Sequence, residues 1–426
     1  MIRICRYEEI SDEEIFKRSD ALPDVSGTVA AIIADLRARG DAALLDYTER
    51  FDHVRPESLE VSEEEFAEAL AKTDERMLEV LKKAASSIRT FHQEQKRSGF
   101  ILNEKRGVVI GQKVIPMARV GLYVPGGTAA YPSTVLMDAI PARIAGVKEL
   151  VIATPPGRDG KVNPLILAAA RIAGVDKVYK AGGAQAIAAL AYGTETIGRA
   201  DKIVGPGNAF VAEAKRQIFG QAGIDMIAGP SEILVIADKK SDPVQVAADL
   251  LSQAEHDKNA SAVLVTECET LAKKVQEEIE RQLSVLPREE IARASIDSNG
   301  KIILTDKIET AVAIANRIAP EHLELVLDQP FDYLDMVENA GSVFLGRNCP
   351  EALGDYMAGP NHTLPTGGTA RFSSPLSVDD FVKKIQYTYF SQEAFRSLAR
   401  DVAYFAEQEG LSGHARSALS RLKENT

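Results

Sequence analysis

Cysteines, histidines and long apolar runs are all scarce in this chain of 426 residues. The three cysteines, Cys5, Cys268 and Cys349, are odd in number and far apart, unlike the disulfide framework of a small secreted domain. No apolar run reaches the ~18 to 20 residues needed to cross a bilayer. The amino terminus also lacks the uninterrupted apolar segment of a secretion signal, so we expect a cytoplasmic protein without a membrane partner.

Positively charged residues are also relatively few. The chain has 50 lysine and arginine residues and 62 acidic residues, so its formal net charge is -12. This charge disfavours nucleic acid and anionic membranes as partners. Hydrophobic residues make up 45% of the chain and charged residues 26%, which is typical of a soluble globular protein. At this length we expect two to four domains, each with its own hydrophobic core.

The spacing of apolar residues divides the chain into four parts. Residues 1–105 carry apolar residues three to four apart, which predicts an N-terminal helical region. In residues 106–230, and again in 231–375, short β-branched runs alternate with glycine or proline loops and alanine-rich stretches. Residues 376–426 are predicted to form a C-terminal helical tail. The predicted fold class is α/β, with two tandem Rossmann-like domains on incomplete, mostly parallel sheets.

Two common nucleotide-binding fingerprints are missing, since the chain contains neither Gly-x-Gly-x-x-Gly nor the Walker A pattern. Glycine turns remain at the ends of predicted strands. Their backbone N–H groups could bind a pyrophosphate, and Tyr123, Gln185 and Asn208 could contact the rest of a dinucleotide. The alternative is structural, because any α/β protein needs such turns to reverse its chain.

Four of the six histidines stand among acids and amides in the second half of the chain. Gln253 and His256 lie three apart on a predicted helix from Val244 to about His256, so an amide and an imidazole could share one metal ion. The alternative for this spacing is an ordinary pair on a helix surface. Asp355 and His362 follow in one glycine-rich segment.

The last histidine, His414, stands near the carboxyl end and close to Glu409. A solvated side chain is the alternative for a histidine in a tail. Taken together, Gln253, His256, Asp355 and His414 would form a mixed nitrogen and oxygen ligand set that suits zinc and leaves space for a substrate.

Glu321 and His322 follow the predicted helix Ile308 to Ile318 and lie at a turn into a strand. If this turn opens onto a cleft between the two α/β domains, both side chains could reach a bound ligand. A carboxylate beside a neutral imidazole is a workable acid–base pair. An exposed, charged turn is the alternative.

These motifs, taken in order, resemble those of the histidinol dehydrogenase family over almost the whole chain. The resemblance rests on ten strings: Gly121-Leu-Tyr-Val-Pro-Gly-Gly127, Ala181-Gly-Gly-Ala-Gln-Ala186, Gly205-Pro-Gly-Asn208, Ala228-Gly-Pro-Ser-Glu232, Leu251-Ser-Gln-Ala-Glu-His256, Ala319-Pro-Glu-His-Leu323, Gly354-Asp-Tyr-Met-Ala-Gly-Pro-Asn-His362, Leu364-Pro-Thr-Gly-Gly368, Phe372-Ser-Ser374 and Glu409-Gly-Leu to His414. The family often has an aromatic residue followed by serine or threonine where this chain has Asn348-Cys349, a position outside the expected site.

The resemblance implies an oxidoreductase of histidine biosynthesis that takes L-histidinol through L-histidinaldehyde to L-histidine with NAD. It also implies one zinc ion per subunit. By position, it implies zinc binding by Gln253, His256, Asp355 and His414, and catalysis by Glu321 and His322. It implies substrate contacts for the same four zinc ligands and for Ser231, His322, His362 and Glu409. It implies NAD contacts for Tyr123, Gln185 and Asn208.

The family's architecture implies further that the protein is a homodimer with shared sites, in which Glu409 and His414 reach the site of the partner subunit. From the residues alone, two rivals stay open. A zinc hydrolase would use Glu321 to activate a metal-bound water and would turn over without NAD. A binding protein with two α/β lobes would bind a small molecule without turnover.

Overall fold

The computed structural model describes residues 1–17, 24–126 and 130–422, so Gly127 of the first glycine turn lies outside the described residues. The chain separates into two compact units. The first consists of Met1–Gln95 and Met117–Phe381, and the second of Lys96–Pro116 and the chain from Val382 onward. The three boundaries between the four parts derived from the sequence stay predictions.

The first unit begins with a short strand and continues as helices. Their bounds are β1 (Arg3–Arg6), α1 (Asp12–Ile15), α2 (Ser26–Arg39), α3 (Asp41–Asp52), α4 (Glu63–Lys72) and α5 (Glu75–Gln93). Ser62 begins α4 with a capping box, because its hydroxyl accepts from the Glu65 N–H while the Glu65 carboxylate accepts from the Ser62 N–H. The predicted N-terminal helical region is therefore present, but it starts with a strand that the sequence analysis did not predict.

The first sheet is parallel and has five strands in the order β6-β5-β4-β7-β8. It alternates with helices as β4 (Arg119–Tyr123), α6 (Pro132–Ala145), β5 (Glu149–Thr154), α7 (Pro164–Ala173), β6 (Lys177–Lys180), α8 (Gly183–Tyr192), β7 (Lys202–Val204), α9 (Ala209–Ile218) and β8 (Gly223–Ile224). The strand that comes first in sequence lies in the middle, so the strand order reverses between β4 and β7. Ligands of open α/β sheets bind at the carboxyl ends of the strands at such a reversal.

The second sheet is parallel too and repeats this order, with β1 added at one edge, as β1-β11-β10-β9-β12-β13. Its elements are β9 (Glu232–Ala237), α10 (Pro243–Ala254), β10 (Ser261–Thr266), α11 (Glu269–Leu283), α12 (Glu289–Asn299), β11 (Lys301–Leu304), α13 (Ile308–Ile318), β12 (His322–Val326), α14 (Phe331–Leu334), β13 (Ser342–Leu345) and α15 (Glu351–Tyr356). The first unit ends with the 3-10 turns Thr369–Arg371 and Val378–Phe381.

Hydrophobic side chains cover both faces of each sheet. Helices α4 to α7 pack on one face of the first sheet, while α2, α3, α8 and α9 pack on the other. The strands are apolar without alternation, as in β9, where all six residues are buried. The predicted fold class, two Rossmann-like parallel sheets with helical regions at both ends, is confirmed by this architecture.

The second unit contains an antiparallel sheet and two helices. Strand β14 (Val382–Phe390) pairs along its length with β3 (Val108–Pro116), which also pairs with β2 (Phe100–Leu102). Helices α16 (Gln392–Gln408) and α17 (Ser412–Ser420) follow and pack through Ala403, Ala406 and Ala415. Helices were expected here, whereas the nine-residue strand β14 was not. Among the described residues of the whole chain, no helix is both long and apolar enough to span a membrane.

Candidate active site

A cleft of about 490 Å³ in the first unit brings together two edges of its two sheets. One wall consists of the loops after β4 and β7, at the carboxyl edge of the first sheet. The other wall is formed by residues just before β9 and at the start of β12, at the amino edge of the second sheet. Nine of the residues predicted to form the site line this cleft, namely Tyr123, Asn208, Ser231, Gln253, His256, Glu321, His322, Asp355 and His362.

The end of helix α13 brings Glu321 and His322 to the cleft. Ala319 closes the helix in the left-handed conformation with φ +51°, and its N–H donates to the Ala315 carbonyl. Pro320 then begins an extended segment that enters β12 at His322. Glu321 is 8% and His322 4% exposed, so this pair is not an exposed, charged turn.

His322 is held in one orientation by the neighbouring strand β9. Its Nδ1 lies 3.0 Å from the carbonyl oxygen of Glu232, and a carbonyl can only accept, so Nδ1 carries the proton. The other ring nitrogen, Nε2, is then an acceptor, and it is buried without a hydrogen-bond partner among the described residues. Burial lowers the pKa of His322 and favours the neutral imidazole. The ring is therefore set up to take a proton at Nε2.

Glu321 lies beside this ring and is held by the same strand. Its Oε2 accepts from the backbone N–H of Glu232 at 3.0 Å and lies 3.8 Å from His322 Nδ1. Burial, reinforced by the nearby acids Glu232, Asp355 and Glu351, raises the pKa of Glu321 well above its ordinary value. A carboxyl group with a raised pKa can exchange protons closer to neutral pH than an ordinary glutamate.

Asp355 and His362 form a second pair in the cleft. Asp355 lies on helix α15, and its Oδ1 is 3.7 Å from His362 Nδ1. Burial, together with the charge of Glu351, raises the pKa of Asp355 to about 7. His362 Nε2 lies 3.4 Å from the Thr134 hydroxyl, and burial lowers the pKa of His362 to about 4.

Gln253 and His256 approach the cleft from the end of α10. Gln253 is buried in the last turn, and His256 is exposed just beyond it, with its N–H donating to the Gln253 carbonyl. Both line the cleft, so they are not a pair on an outer helix surface. Helix α10 connects two parallel strands, β9 and β10, so it runs opposite to them and ends near the amino edge of the second sheet.

Two acids behind the cleft, Glu351 and Glu324, are not among the predicted site residues, and they are 2% and 1% exposed. Glu324 is on β12, two residues after His322, and its carboxylate accepts from the Glu351 N–H at 2.7 Å. The Glu351 carboxylate accepts from the Ser252 hydroxyl at 2.7 Å. Glu351 also has an oxygen near ligand atoms of His322 and Asp355, all within 4.8 Å of one another. Only the positions of these acids in the fold, and no sequence motif, point to them.

The predicted NAD contacts have different surroundings. The Tyr123 hydroxyl is buried and accepts from the Gly183 N–H at 3.0 Å. The Asn208 side chain accepts from the N–H groups of Phe210 and Val211 and so caps α9. Gln185 is 1% exposed in the first turn of α8 and is not among the residues that line the cleft.

The glycine turns of the first sheet leave little room for side chains. At Gly205 φ is +113°, and a Cβ atom would lie 2.1 Å from the Tyr123 carbonyl oxygen. At Gly126 a Cβ would meet Pro155 at 2.5 Å. Both turns therefore require glycine for their own packing. They lie at the strand-order reversal, which is where α/β sheets of this kind bind dinucleotides.

Glu409 and His414 belong to the second unit. Glu409 caps the end of α16, and His414 lies in α17. The residues that line the cleft all come from the first unit.

The residues of the cleft fit a divalent cation. Glu321, Glu351 and Asp355 concentrate acidic groups in a buried region, where burial and mutual repulsion raise the pKa values of Glu321 and Asp355. The side chains of Gln253, His256 and Asp355 offer oxygen and nitrogen atoms to the same space. Zinc accepts nitrogen and carboxylate ligands of this kind.

Comparison with known proteins settles the family. The sequence profile described as histidinol dehydrogenase matches residues 16–422. The chain belongs to the histidinol dehydrogenase family. It is 54% identical over 404 residues to the histidinol dehydrogenase of Geobacter sulfurreducens, covering 94% of each chain. It is 51% identical over 428 residues to that of Clostridium acetobutylicum, covering 99% of each.

A solved structure agrees with this family membership. The crystal structure of histidinol dehydrogenase from Elizabethkingia anophelis has a TM-score of 0.93 and 39% sequence identity, and the alignment covers 99% of this chain and 98% of that one. The resemblance seen in the sequence is thus confirmed, and with it the class of enzyme, an oxidoreductase. A histidinol dehydrogenase of this fold is an NAD-dependent enzyme, which leaves the hydrolase and binding-protein alternatives without support.

Proposed function

We propose that this protein oxidises L-histidinol to L-histidine with two molecules of NAD, through L-histidinaldehyde, as the last steps of histidine biosynthesis. Overall, histidinol, two NAD and one water give histidine, two NADH and three protons. The observation that carries the proposal is the buried Nε2 of His322, which has no hydrogen-bond partner among the residues that the structure describes. It lies in a cleft where the carboxyl edge of one sheet meets the amino edge of the other. Family membership supports the choice of substrate.

His322 acts as the base in both oxidations. The Glu232 carbonyl fixes the proton on Nδ1, so Nε2 is free to take the hydroxyl proton of the alcohol and later that of the hydrated aldehyde. The lowered pKa keeps the imidazole neutral at physiological pH, which is the form that a base requires. Bound NAD would take up the hydride.

Glu321 acts as a base in the second oxidation. Its carboxylate lies next to His322, and its raised pKa allows it to take a proton from water as the water adds to the aldehyde carbon. The Glu232 N–H holds one oxygen of the carboxylate in place, so the side chain stays directed at the same side of the cleft.

Gln253, His256 and Asp355 would hold a zinc ion, with His414 as a fourth ligand. A zinc ion held by these residues would supply a Lewis acid that helps to orient the substrate. Ser231 and His362 would contact the substrate from the walls of the same cleft. Tyr123, Gln185 and Asn208 would serve NAD, the first and last by shaping the turns at which the cofactor binds.

Glu409 and His414 come from the second unit, and we assign them to the site of a partner subunit in a homodimer. Shared sites of this type would make the dimer the active species. The cytoplasmic location expected from the sequence stays a prediction.

The test counts reducing equivalents. The purified, zinc-loaded protein is incubated with histidinol and excess NAD, and NADH and histidine are both quantified. Two NADH per histidine support the proposal. One NADH with released aldehyde contradicts the second oxidation, and turnover without NADH contradicts the whole scheme.

A further inference from the structure

A second cleft, of about 580 Å³, opens at the carboxyl edge of the first sheet. It lies along the loop after β5 and the start of α7, and Gly126 lines both this cleft and the one that holds His322. Because the two clefts share this residue just after β4, they adjoin at the carboxyl edge of the first sheet. No residue assigned so far to catalysis, zinc or substrate lies in the second cleft.

The strand order tells which part of a dinucleotide belongs there. In folds with this order, the pyrophosphate lies at the turn after the first strand, and an acidic residue near the end of the second strand binds the adenosine ribose hydroxyl. The first two strands here are β4 and β5. After β5 the chain continues as Pro155, Pro156 and Gly157, so the strand end itself supplies no carboxylate.

Asp159 is the next acid along this loop, but its carboxylate already accepts a hydrogen bond within the loop. It is exposed, and its Oδ1 accepts from the Lys161 N–H at 3.1 Å, which closes the turn. Lys161 in turn directs its ammonium group to Glu68 at 2.6 Å. Asp159 therefore stabilises the turn of this loop, and we do not assign it to the ribose.

Asp52, the last residue of α3, supplies a carboxylate to this cleft from the N-terminal helices. Its Oδ2 is buried and has no hydrogen-bond donor in the part of the chain that the structure describes. Burial raises the pKa of Asp52 to about 6, which indicates that no strong counter-charge stabilises it. A buried acceptor without a donor is costly unless a ligand supplies the donor.

We propose that Asp52 binds the vicinal hydroxyl groups of the adenosine ribose of the dinucleotide cofactor and so selects NAD over the form with a 2′-phosphate. A carboxylate offers two acceptor oxygens, which match two neighbouring hydroxyl donors. A 2′-phosphate would bring its negative charge against this carboxylate and would remove one of the donors. The inference rests on the proposed function, since it assumes that NAD is the cofactor.

The experiment measures dissociation constants by calorimetry on the zinc-loaded protein, without turnover. Three ligands are compared: NAD, NADP and an NAD analogue whose adenosine lacks the 2′-hydroxyl. The proteins are the wild type, Asp52→Asn, Asp52→Ala and the matched control Asp159→Asn, which changes an exposed acid of the same cleft. Thermal unfolding and zinc content check that each variant is folded.

In the wild type we expect NAD to bind at least about tenfold more tightly than the deoxy analogue or NADP, because both disrupt the paired hydroxyl contact. Both Asp52 variants should lose most of this discrimination, while Asp159→Asn keeps it. Folded Asp52 variants that discriminate as the wild type does would overturn the inference but leave NAD-dependent oxidation standing. A wild-type protein that binds no NAD would instead overturn the proposed function, and this inference with it.

Discussion

The Nδ1 atom of His322 lies 3.0 Å from the carbonyl oxygen of Glu232, the first residue of the adjacent strand β9. The backbone N–H of the same residue donates to the Glu321 carboxylate. One peptide segment therefore orients both proposed catalytic side chains, through groups that no side-chain substitution removes. The roles of the two side chains can be tested separately, because each has its own contact to this segment.

Replacing His322 with Asn should slow both oxidations by about 100- to 10,000-fold, since each needs a base at Nε2. Replacing Glu321 with Gln should slow aldehyde oxidation by a similar factor and leave alcohol oxidation nearly intact. Stopped-flow recording of NADH, starting from histidinol and separately from histidinaldehyde, resolves the two steps. Equal losses in both steps for Glu321→Gln would refute the division of roles.

Shared sites predict that two inactive variants restore each other. Subunits with His256→Ala and subunits with His414→Ala, after exchange, should give mixed dimers with one intact site, and about a quarter of wild-type activity overall. The control mixture, His256→Ala with Gln253→Ala, should stay inactive because both changes affect ligands from the same subunit. Failure of the first mixture to recover would rule out the shared site.

Lys215 and Asp225 form a buried ion pair, with 2.5 Å between Nζ and Oδ1, that holds Gly205 by both its carbonyl and its N–H. Replacing Lys215 with Met leaves a buried carboxylate unpaired, and we expect a loss of about 3 to 5 kcal/mol in the free energy of unfolding. Urea denaturation measures this. The neighbouring change Arg216→Met breaks only an exposed pair with Glu213 and should leave the midpoint unchanged. Equal losses of stability in the Lys215→Met and Arg216→Met variants would contradict a stabilising role for the Lys215–Asp225 ion pair.

Asp138 makes stability depend on pH. Burial, followed by the charge of Asp225, raises the pKa of Asp138 to about 8 from an ordinary value of 3.8. A raised pKa favours the folded state below pH 3.8, and this contribution is lost as pH rises towards 8. Between pH 5 and 8 the unfolding free energy of the wild type should fall relative to that of Asp138→Asn, by up to about 1.4 kcal/mol per pH unit. A constant difference in urea titrations at these pH values would contradict this prediction.

Much of the fold can be predicted from the sequence because parallel strands buried on both faces leave a continuous apolar run. Helix α13 begins and ends where the sequence predicts, at Ile308–Ile318, and strand β9 is one of the short apolar runs predicted in residues 231–375. Strand β14 was missed because most of its side chains are exposed or half-buried, so its stability comes from backbone pairing with β3 rather than from an apolar face.

The site also contains residues that the sequence predicts and residues that it does not. Residues in recognisable strings, such as Glu321 and His322, could be identified from the sequence. Glu324 and Asp52 could not, because a charged residue in a strand or at a helix end is usually solvated, and only the fold reveals that Glu324 and the Oδ2 atom of Asp52 are buried. Burial of single acids depends on contacts distant in sequence, which local patterns do not encode.

Two sheets with the same strand order are what the duplication and fusion of one ancestral α/β unit would leave behind. In the proposed scheme the first sheet offers its carboxyl edge to the cofactor, whereas the second sheet turns its amino edge to the substrate. The proposed cofactor contacts therefore come from the first sheet and the helices packed on it, and the proposed catalytic pair from the second sheet, so evolution or protein engineering can alter one set without rebuilding the other.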